Sequence, residues 1–263
     1  MKNNETIIKL VALDLDGTLL NSRKELPADF INWVNIHPAI KTVIASGRQY
    51  ETIARDFISV KDKLIYVAEN GGIVYEGSNI IYVNEIQKKD VLMCLKVINK
   101  IKGATPVVCG TKSAYTSPEG SRRQEIKMYY AHLLPSEDLY TASLEDSIVK
   151  ISVFVDNRAA EHAMKQFAGI DCNIGISLSG DSWIDLSYRT TSKGAAVAAI
   201  QDKYSISRKE SMAFGDYLND VSLFEVCEES YCMENGHPEL KKQAKHMTNS
   251  NDENGVMKIL WNL

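Results

Sequence analysis

The sequence predicts an α/β fold: a Rossmann-like, mostly parallel open sheet covered by helices, with a separate α+β domain inserted into it. Three observations carry this reading. Short apolar runs alternate with stretches of helical periodicity at both ends of the chain, the pattern of a parallel sheet with helical crossovers. Between about Glu85 and Ser187 the alternation gives way to two groups of helix and strand patterns, as an antiparallel α+β unit requires. Polar clusters then fall where predicted strands end or helices begin, the edge at which open α/β sheets bind ligands.

The elements follow in order. "IIKLVALDL" reads as the first buried strand, and "PADFINWVN" as a helix with Pro27 at its first position. "KTVIAS" is a second strand, "QYETIARDFI" a helix and "KLIYVAEN" a third strand ended by Gly71-Gly72. "GIVYEGSNIIYVN" is a hairpin about the turn formers "EGSN". The insertion contributes a helix in "KKDVLMCLKVINKI", strands in "TPVVC" and "SAYT", and a helix near "SRRQEIKMYYAHL". After these come "SIVKISVFV", a helix over "NRAAEHAMKQFA", and the strands "NIGISLS" and "WIDLS". The core pattern resumes with "TSKGAAVAAIQDKY" as helix, "SMAFGD" as strand, "YLNDVSLFEVC" as helix, "SYCME" as strand and "HPELKKQA" as helix. The expected organisation is therefore core 1–84, inserted domain 85–187 and core 188–263, an insertion of ordinary domain size.

Composition narrows the function classes. At 263 residues, 44% hydrophobic and 24% charged, with 15 glycines and 6 prolines, the chain is that of a globular protein able to bury a large core. A net charge of −4 argues against nucleic acid as the main partner. The apolar run Ile7–Leu15 is interrupted by Lys9 and Asp14, too short and charged for a signal or membrane segment, so no membrane partner is expected. Five scattered cysteines without a C-x-x-C pair fit reduced thiols and a cytoplasmic location.

Four clusters carry the chemistry: Asp14 and Asp16 after strand one, Ser46-Gly47-Arg48 after strand two, Lys193-Gly194 at a helix start, and Asp216, Asn219 and Asp220 in "GDYLND". Each alone also reads as an ordinary turn or helix cap. Together they place four carboxylates against one lysine, a charge imbalance that a divalent cation relieves. Hard oxygen donors select Mg²⁺, and the five histidines show no zinc-ligand spacing. A carboxylate such as Asp14 beside that ion can attack phosphorus, while Asp16, two residues on, can exchange the leaving-group and water protons. A hydroxyl, an ammonium and backbone N–H groups are the expected clamps for a phosphoryl group, roles that Ser46, Gly47 and Lys193 fit.

"DLDGTLL", "IASGR", "SKG" and "GDYLND" resemble the four ordered motifs of the haloacid dehalogenase (HAD) superfamily of aspartyl phosphatases. The place and size of the insertion resemble the Cof-type sugar-phosphate phosphatase branch with its large α+β cap, as do "ENGG" and "HMTNSNDENGV". The resemblance implies Asp14 as nucleophile, Asp16 as general acid and base, and Ser46 and Lys193 on the phosphoryl group. It further implies Mg²⁺ on Asp14, the Asp16 carbonyl and Asp216, with Asn219 and Asp220 in support. Ser46 stands where that family more often has Thr, and Tyr217 where a smaller polar residue is usual. Arg48, Asn70, Arg122, Arg123 and Tyr115 are candidate substrate contacts. The expected activity is hydrolysis of small phosphorylated metabolites by a protein taken as monomeric; a phosphosugar mutase and a non-turnover phospho-receiver module are the alternatives. Asn84–Ile86 and Ser187–Thr190 are the two expected crossings between domains, hence hinges.

Overall fold

A computed structural model describes residues 7–170 and 173–263. The chain forms two compact units: one runs to Tyr82 and resumes at Ser192, and the other spans Val83–Thr191.

Strand β1 (Leu10–Asp14) is buried along its whole length, as the near-continuous apolar run demands of a strand covered on both faces. Helix α1 (Phe30–Ile36) starts later than expected. Pro27 is not its first residue but accepts the Phe30 N–H at 3.1 Å, closing a turn ahead of the helix. Strand β2 (Lys41–Ala45) leads to helix α2 (Tyr50–Ala54), which tightens into a 3₁₀ run over Arg55–Lys63. Phe57 leaves helical backbone there and is fully buried. Strands β3 (Leu64–Ala68), β4 (Ile73–Glu76) and β5 (Asn79–Val83) complete this part, with β4 and β5 as the expected hairpin.

The second unit contains α3 (Lys88–Ile98), β6 (Ala104–Gly110), β7 (Ala114–Thr116), α4 (Gln124–Lys127), β8 (Leu133–Pro135) and α5 (Leu139–Leu144). It continues with β9 (Ile148–Val155), α6 (Ala160–Met164), β10 (Ile174–Leu178) and β11 (Trp183–Tyr188). Its strands lie in the order β10-β11-β9-β6-β7-β8, with the β7/β8 pair parallel and β10/β11, β11/β9, β9/β6 and β6/β7 antiparallel. Val91, Cys94, Leu95 and Ile98 of α3 share a core with Ile151, Val153 and Val155 of β9. The helix expected over "SRRQEIKMYYAHL" shrinks to α4, and Leu133 at its expected end instead begins β8, paired with β7, a non-local pairing that local pattern does not encode. Helix α5 was not expected; the Asp138 carboxylate caps it by accepting the Tyr140 and Thr141 N–H groups. Against the expected junctions at 84/85 and 187/188, the units change at 82/83 and 191/192. Strand β11 runs through Tyr188, whose carbonyl accepts the Thr191 N–H, and Asn84 bonds the Thr190 and Thr191 hydroxyls.

The first unit resumes with α7 (Lys193–Tyr204), capped by the Ser192 hydroxyl on the Ala195 N–H, then β12 (Ser211–Gly215) and α8 (Val221–Val226). A 3₁₀ turn over Leu218–Asp220 delays α8 relative to the helix expected from Tyr217. Strand β13 (Glu229–Met233), α9 (Pro238–Lys241), β14 (His246–Thr248) and α10 (Gly255–Leu260) close the chain, β14 being a further strand that the sequence pattern did not suggest. Over the described residues the sheet order is β14-β13-β12-β1-β2-β3-β4-β5, parallel from β14 to β3 and antiparallel at β3/β4. This is the expected Rossmann-like sheet, and it sets β1 between β12 and β2, so three strand ends meet at one edge. Cys94, Cys109, Cys227 and Cys232 are buried, Cys227 and Cys232 as reduced thiols, while Cys172 lies outside the described residues. Among the described residues no helix is long and apolar enough to cross a membrane.

Gly194 marks a close approach: a Cβ there would run into the Ser222 carbonyl, and its N–H donates to the Ser222 hydroxyl at 3.0 Å. Replacing a helical glycine by alanine ordinarily gains up to about 1 kcal/mol. Here the sign reverses. Gly194→Ala is expected to lower stability by about 1–3 kcal/mol through overpacking, read as a lower urea midpoint at unchanged slope.

Candidate active site

Asp14 is the last residue of β1, in register with Ala45 of β2, so Ser46 follows at the same sheet edge; Asp216 directly follows β12 on the other side. The chain turns at Gly17, whose φ is +82° and whose missing side chain leaves room for the Asp216 carboxylate. A Cβ at that position would occupy the same space as the Asp216 Oδ2 atom.

Lys193, at the start of α7, is fully buried and donates to Asp14 Oδ1 at 2.5 Å and to Asp220 Oδ1 at 2.7 Å. The second oxygen of Asp220 accepts the N–H groups of Asp216 and Tyr217 at 3.0 and 3.1 Å. Asp220 is thereby committed to holding the lysine and the "GDYLND" turn. The second oxygen of Asp14 is buried with no hydrogen-bond partner. Asp216 receives a hydrogen bond from the Thr18 hydroxyl at 3.3 Å, and carboxylate oxygens of Asp14, Asp216 and Asp220 lie within 4.8 Å of one another.

This crowding sets the electrostatics. Burial first, and then the neighbouring Asp220 and Asp216 charges, push the Asp14 carboxyl well above the usual carboxylate range, against the opposing pull of Lys193. Burial and Asp220 raise Asp216 to about 6. Burial disfavours the Lys193 charge, but the Asp14 and Asp220 carboxylates outweigh it and keep the ammonium charged. An unpartnered buried oxygen beside a second crowded carboxylate suits a hard divalent cation, so the acidic cluster has the donors to hold one. Asp14 and Asp216 keep the most free lone pairs, while Asp220 already accepts from Lys193, Asp216 and Tyr217.

Asp16 has different surroundings. Arg48 grips its carboxylate with two nitrogens, one of them at 2.7 Å, and Lys24 Nζ is 2.7 Å away. Partial burial opposes ionisation, but these pairs prevail and hold Asp16 below the usual carboxylate range. Lys24, on left-handed backbone at φ +64°, escaped sequence reasoning because a loop lysine carries no local signal of its target. Asn219 donates to the Asn70 carbonyl oxygen at 3.1 Å, and the Asn70 amide lies against Gly47, linking the second and fourth clusters through the "ENGG" turn.

The candidates of the second unit are engaged within it. Arg123 pairs with Asp156, reaches the Thr105 hydroxyl at 3.3 Å and stacks 4.9 Å over Phe154. Tyr115 donates to Asp146 at 3.1 Å, and Arg122 is exposed.

Residues 11–260 match the family model of haloacid dehalogenase-like hydrolases. The chain belongs to that family. It is 27% identical over 259 residues to the 5-amino-6-(5-phospho-D-ribitylamino)uracil phosphatase YbjI of Escherichia coli, with 96% of this chain and 95% of that protein covered. Phosphatase YwpJ of Bacillus subtilis is 25% identical over 288 residues, covering 97% of this chain and all of that one. A haloacid dehalogenase-like hydrolase from Bacteroides thetaiotaomicron shares the fold at a TM-score of 0.84 and 21% identity, over 97% of this chain and 99% of that one. The family and its phosphatase relatives make this chain a phosphatase-type hydrolase, and the resemblance holds, both the superfamily read from the four motifs and the Cof-type branch read from the insertion, "ENGG" and "HMTNSNDENGV".

The raised carboxyls bind protons more tightly in the folded than in the unfolded chain. Without a bound cation their contribution to stability is therefore complete at acidic pH, below the unfolded values near 4, and is lost as pH rises through about 6 and above. In chelator, the melting temperature is expected to fall between pH 5 and pH 8. Asp216→Asn, which removes one crowded charge, is expected to flatten that fall and melt above wild type at pH 8 by circular dichroism.

Proposed function

We propose that this phosphatase hydrolyses phosphomonoesters of small metabolites through an aspartyl-phosphate formed on Asp14. The observation that carries the reading is the state of Asp14: one oxygen is held by buried Lys193, and the other stands unpartnered at the sheet edge. A carboxylate oxygen of Asp14 attacks phosphorus, the bond to the leaving oxygen breaks, and that oxygen takes a proton from Asp16. Asp16 then deprotonates water, which attacks the acyl phosphate and releases phosphate and Asp14.

The Ser46 hydroxyl, the Gly47 backbone and the Lys193 ammonium bind the phosphoryl oxygens. The Asp14 and Asp216 carboxylates and the Asp16 carbonyl would hold Mg²⁺, which would supply positive charge against the phosphoryl oxygens. Asn219 and Asp220 support the site, Asp220 by fixing Lys193 and Asn219 by bonding Asn70. The pairs to Arg48 and Lys24 keep Asp16 in its basic form, so it acts as acid only after one of those cations lets go. Arg48 and Asn70, at the same sheet edge as Asp14, are proposed substrate contacts, and so are Arg122 and Arg123 of the second unit. The substrate is a small phosphorylated molecule, with neither nucleic acid nor membrane required. Cys227 and Cys232, buried as reduced thiols, support a cytoplasmic setting.

A panel of p-nitrophenyl phosphate, hexose and pentose phosphates and the substrate that names the Escherichia coli relative tests this reading. Wild type with Mg²⁺ is expected to release inorganic phosphate, and chelator to stop it. Asp14→Asn is expected to reduce kcat/KM by at least about 10³-fold, the scale of losing a nucleophile. Undiminished activity in that variant would end the mechanism. An isomerised sugar phosphate in place of free phosphate would mean a mutase, and a long-lived phosphoaspartate without turnover a receiver-like module.

A further inference from the structure

The segment "HMTNSNDENGV" has no part in the chemistry above, yet its side chains reach across more than two hundred residues of sequence to the loop that follows the nucleophile. We propose that Asn235, Asn251 and Asp252 are positioning residues, forming a rack of side chains that fixes the backbone of Gly17–Ser22 and so sets the aim of Asp14 and Asp16. The proposal rests on the reading of Asp14 and Asp16 as the reacting pair.

Asn235 Nδ2 donates to the Gly17 carbonyl at 2.8 Å, and Asn251 Nδ2 to the Leu20 carbonyl at 2.8 Å. The two asparagines are joined, because the Asn251 N–H donates to Asn235 Oδ1 at 3.1 Å. Asp252 accepts the Ser22 N–H and hydroxyl at 2.8 and 2.7 Å. The loop so held is the one whose orientation matters. Asp16 and Leu20 are bridge partners, the Leu20 N–H bonds the Leu15 carbonyl at 2.9 Å, and the Leu19 N–H bonds the Asp14 carbonyl at 3.3 Å. Holding the Leu20 carbonyl therefore holds the strand end that carries both aspartates. Holding the Gly17 carbonyl orients the next peptide, which presents Thr18 to Asp216.

The rack is itself stiff. Ser250 and Glu253 form a reciprocal capping box, Asn254 closes the turn at φ +57°, and the Thr248 hydroxyl bonds the Gly255 carbonyl at 2.8 Å. A Cβ at Gly255 would meet the Asn249 carbonyl, so the turn is packed against its own start. Buried Val256 and Met257 of α10 anchor its far end. Amides are the right side chains for this work: each must give a hydrogen to a carbonyl, and Asn235 must also accept one. An aspartate at 235 or 251 would face a carbonyl with an acceptor, whereas Asp252, which only accepts, is correctly acidic.

Isosteric substitutions test the rack without changing its volume. Asn235 is exposed, so Asn235→Asp is expected to fold with a melting temperature close to wild type. Asn235→Asp and Asn251→Asp are expected to lower kcat for p-nitrophenyl phosphate at least tenfold with KM within about twofold. Both should weaken binding of Mg²⁺-beryllofluoride, a mimic of phosphoryl on a carboxylate, at least tenfold while phosphate inhibition changes little. Asp252→Asn, which keeps one acceptor oxygen, is expected to lose less than either. Variants with wild-type kcat, or with kcat per folded molecule unchanged at a lower melting temperature, overturn the proposal. A wild type that hydrolyses no member of the panel overturns the reading beneath it, and the proposal with it.

Discussion

Burying an ammonium group is tolerable only where carboxylates surround it, and the core of this protein is organised about that constraint. Lys193 has no solvent contact and rests on Asp14 and Asp220 at 2.5 and 2.7 Å. Leaving any one of these charges uncompensated in such a site is costly. The end of β1, the start of α7 and the turn before α8 are therefore locked to one another. Asp220 secures the last of these a second time through the Asp216 and Tyr217 N–H groups.

The lock leaves a surplus of negative charge at the sheet edge. Asp14 gives only one oxygen to the lysine, and Asp216 is crowded beside it with a carboxyl raised to about 6. Asp16, two residues from Asp14 in sequence, escapes the crowding because its carboxylate is claimed by Arg48 and Lys24. Two aspartates on one short turn thus hold protons in opposite directions. The proposed roles need the reverse, an ionised Asp14 and a protonated Asp16, so a bound divalent cation would have to offset the crowding at Asp14, and Arg48 or Lys24 would have to release Asp16.

Much of the fold was legible because its strongest signals are local. The apolar runs of β1, β2, β3 and β12 announce buried parallel strands, and the change of pattern after Glu85 announces a second unit. Elements that exist only through distant partners were not legible: β8 is made by pairing with β7, and β14 by pairing with β13. Helix starts were misjudged where a turn comes first, at Pro27 before α1 and at Leu218–Asp220 before α8. The backbone there satisfies its N–H groups before the helix begins.

At the site, sequence by itself determined which residue types stand at the strand ends, and hence the pairing of two aspartates with a hydroxyl, a lysine and a second acidic cluster. Those identities follow from short motifs whose chemistry depends on neighbours one to four residues away. Tertiary structure alone decided which oxygen of Asp14 is free, that Asp220 serves the lysine, that Lys24 and Arg48 claim Asp16, and that Asn235, Asn251 and Asp252 hold the turn after Asp14. The physical reason is the same in each case. A hydrogen bond or ion pair depends on separations of about 3 Å in space, and chain order carries no record of them, whether the partners stand 8 residues apart, as Lys24 and Asp16 do, or 231, as Leu20 and Asn251 do.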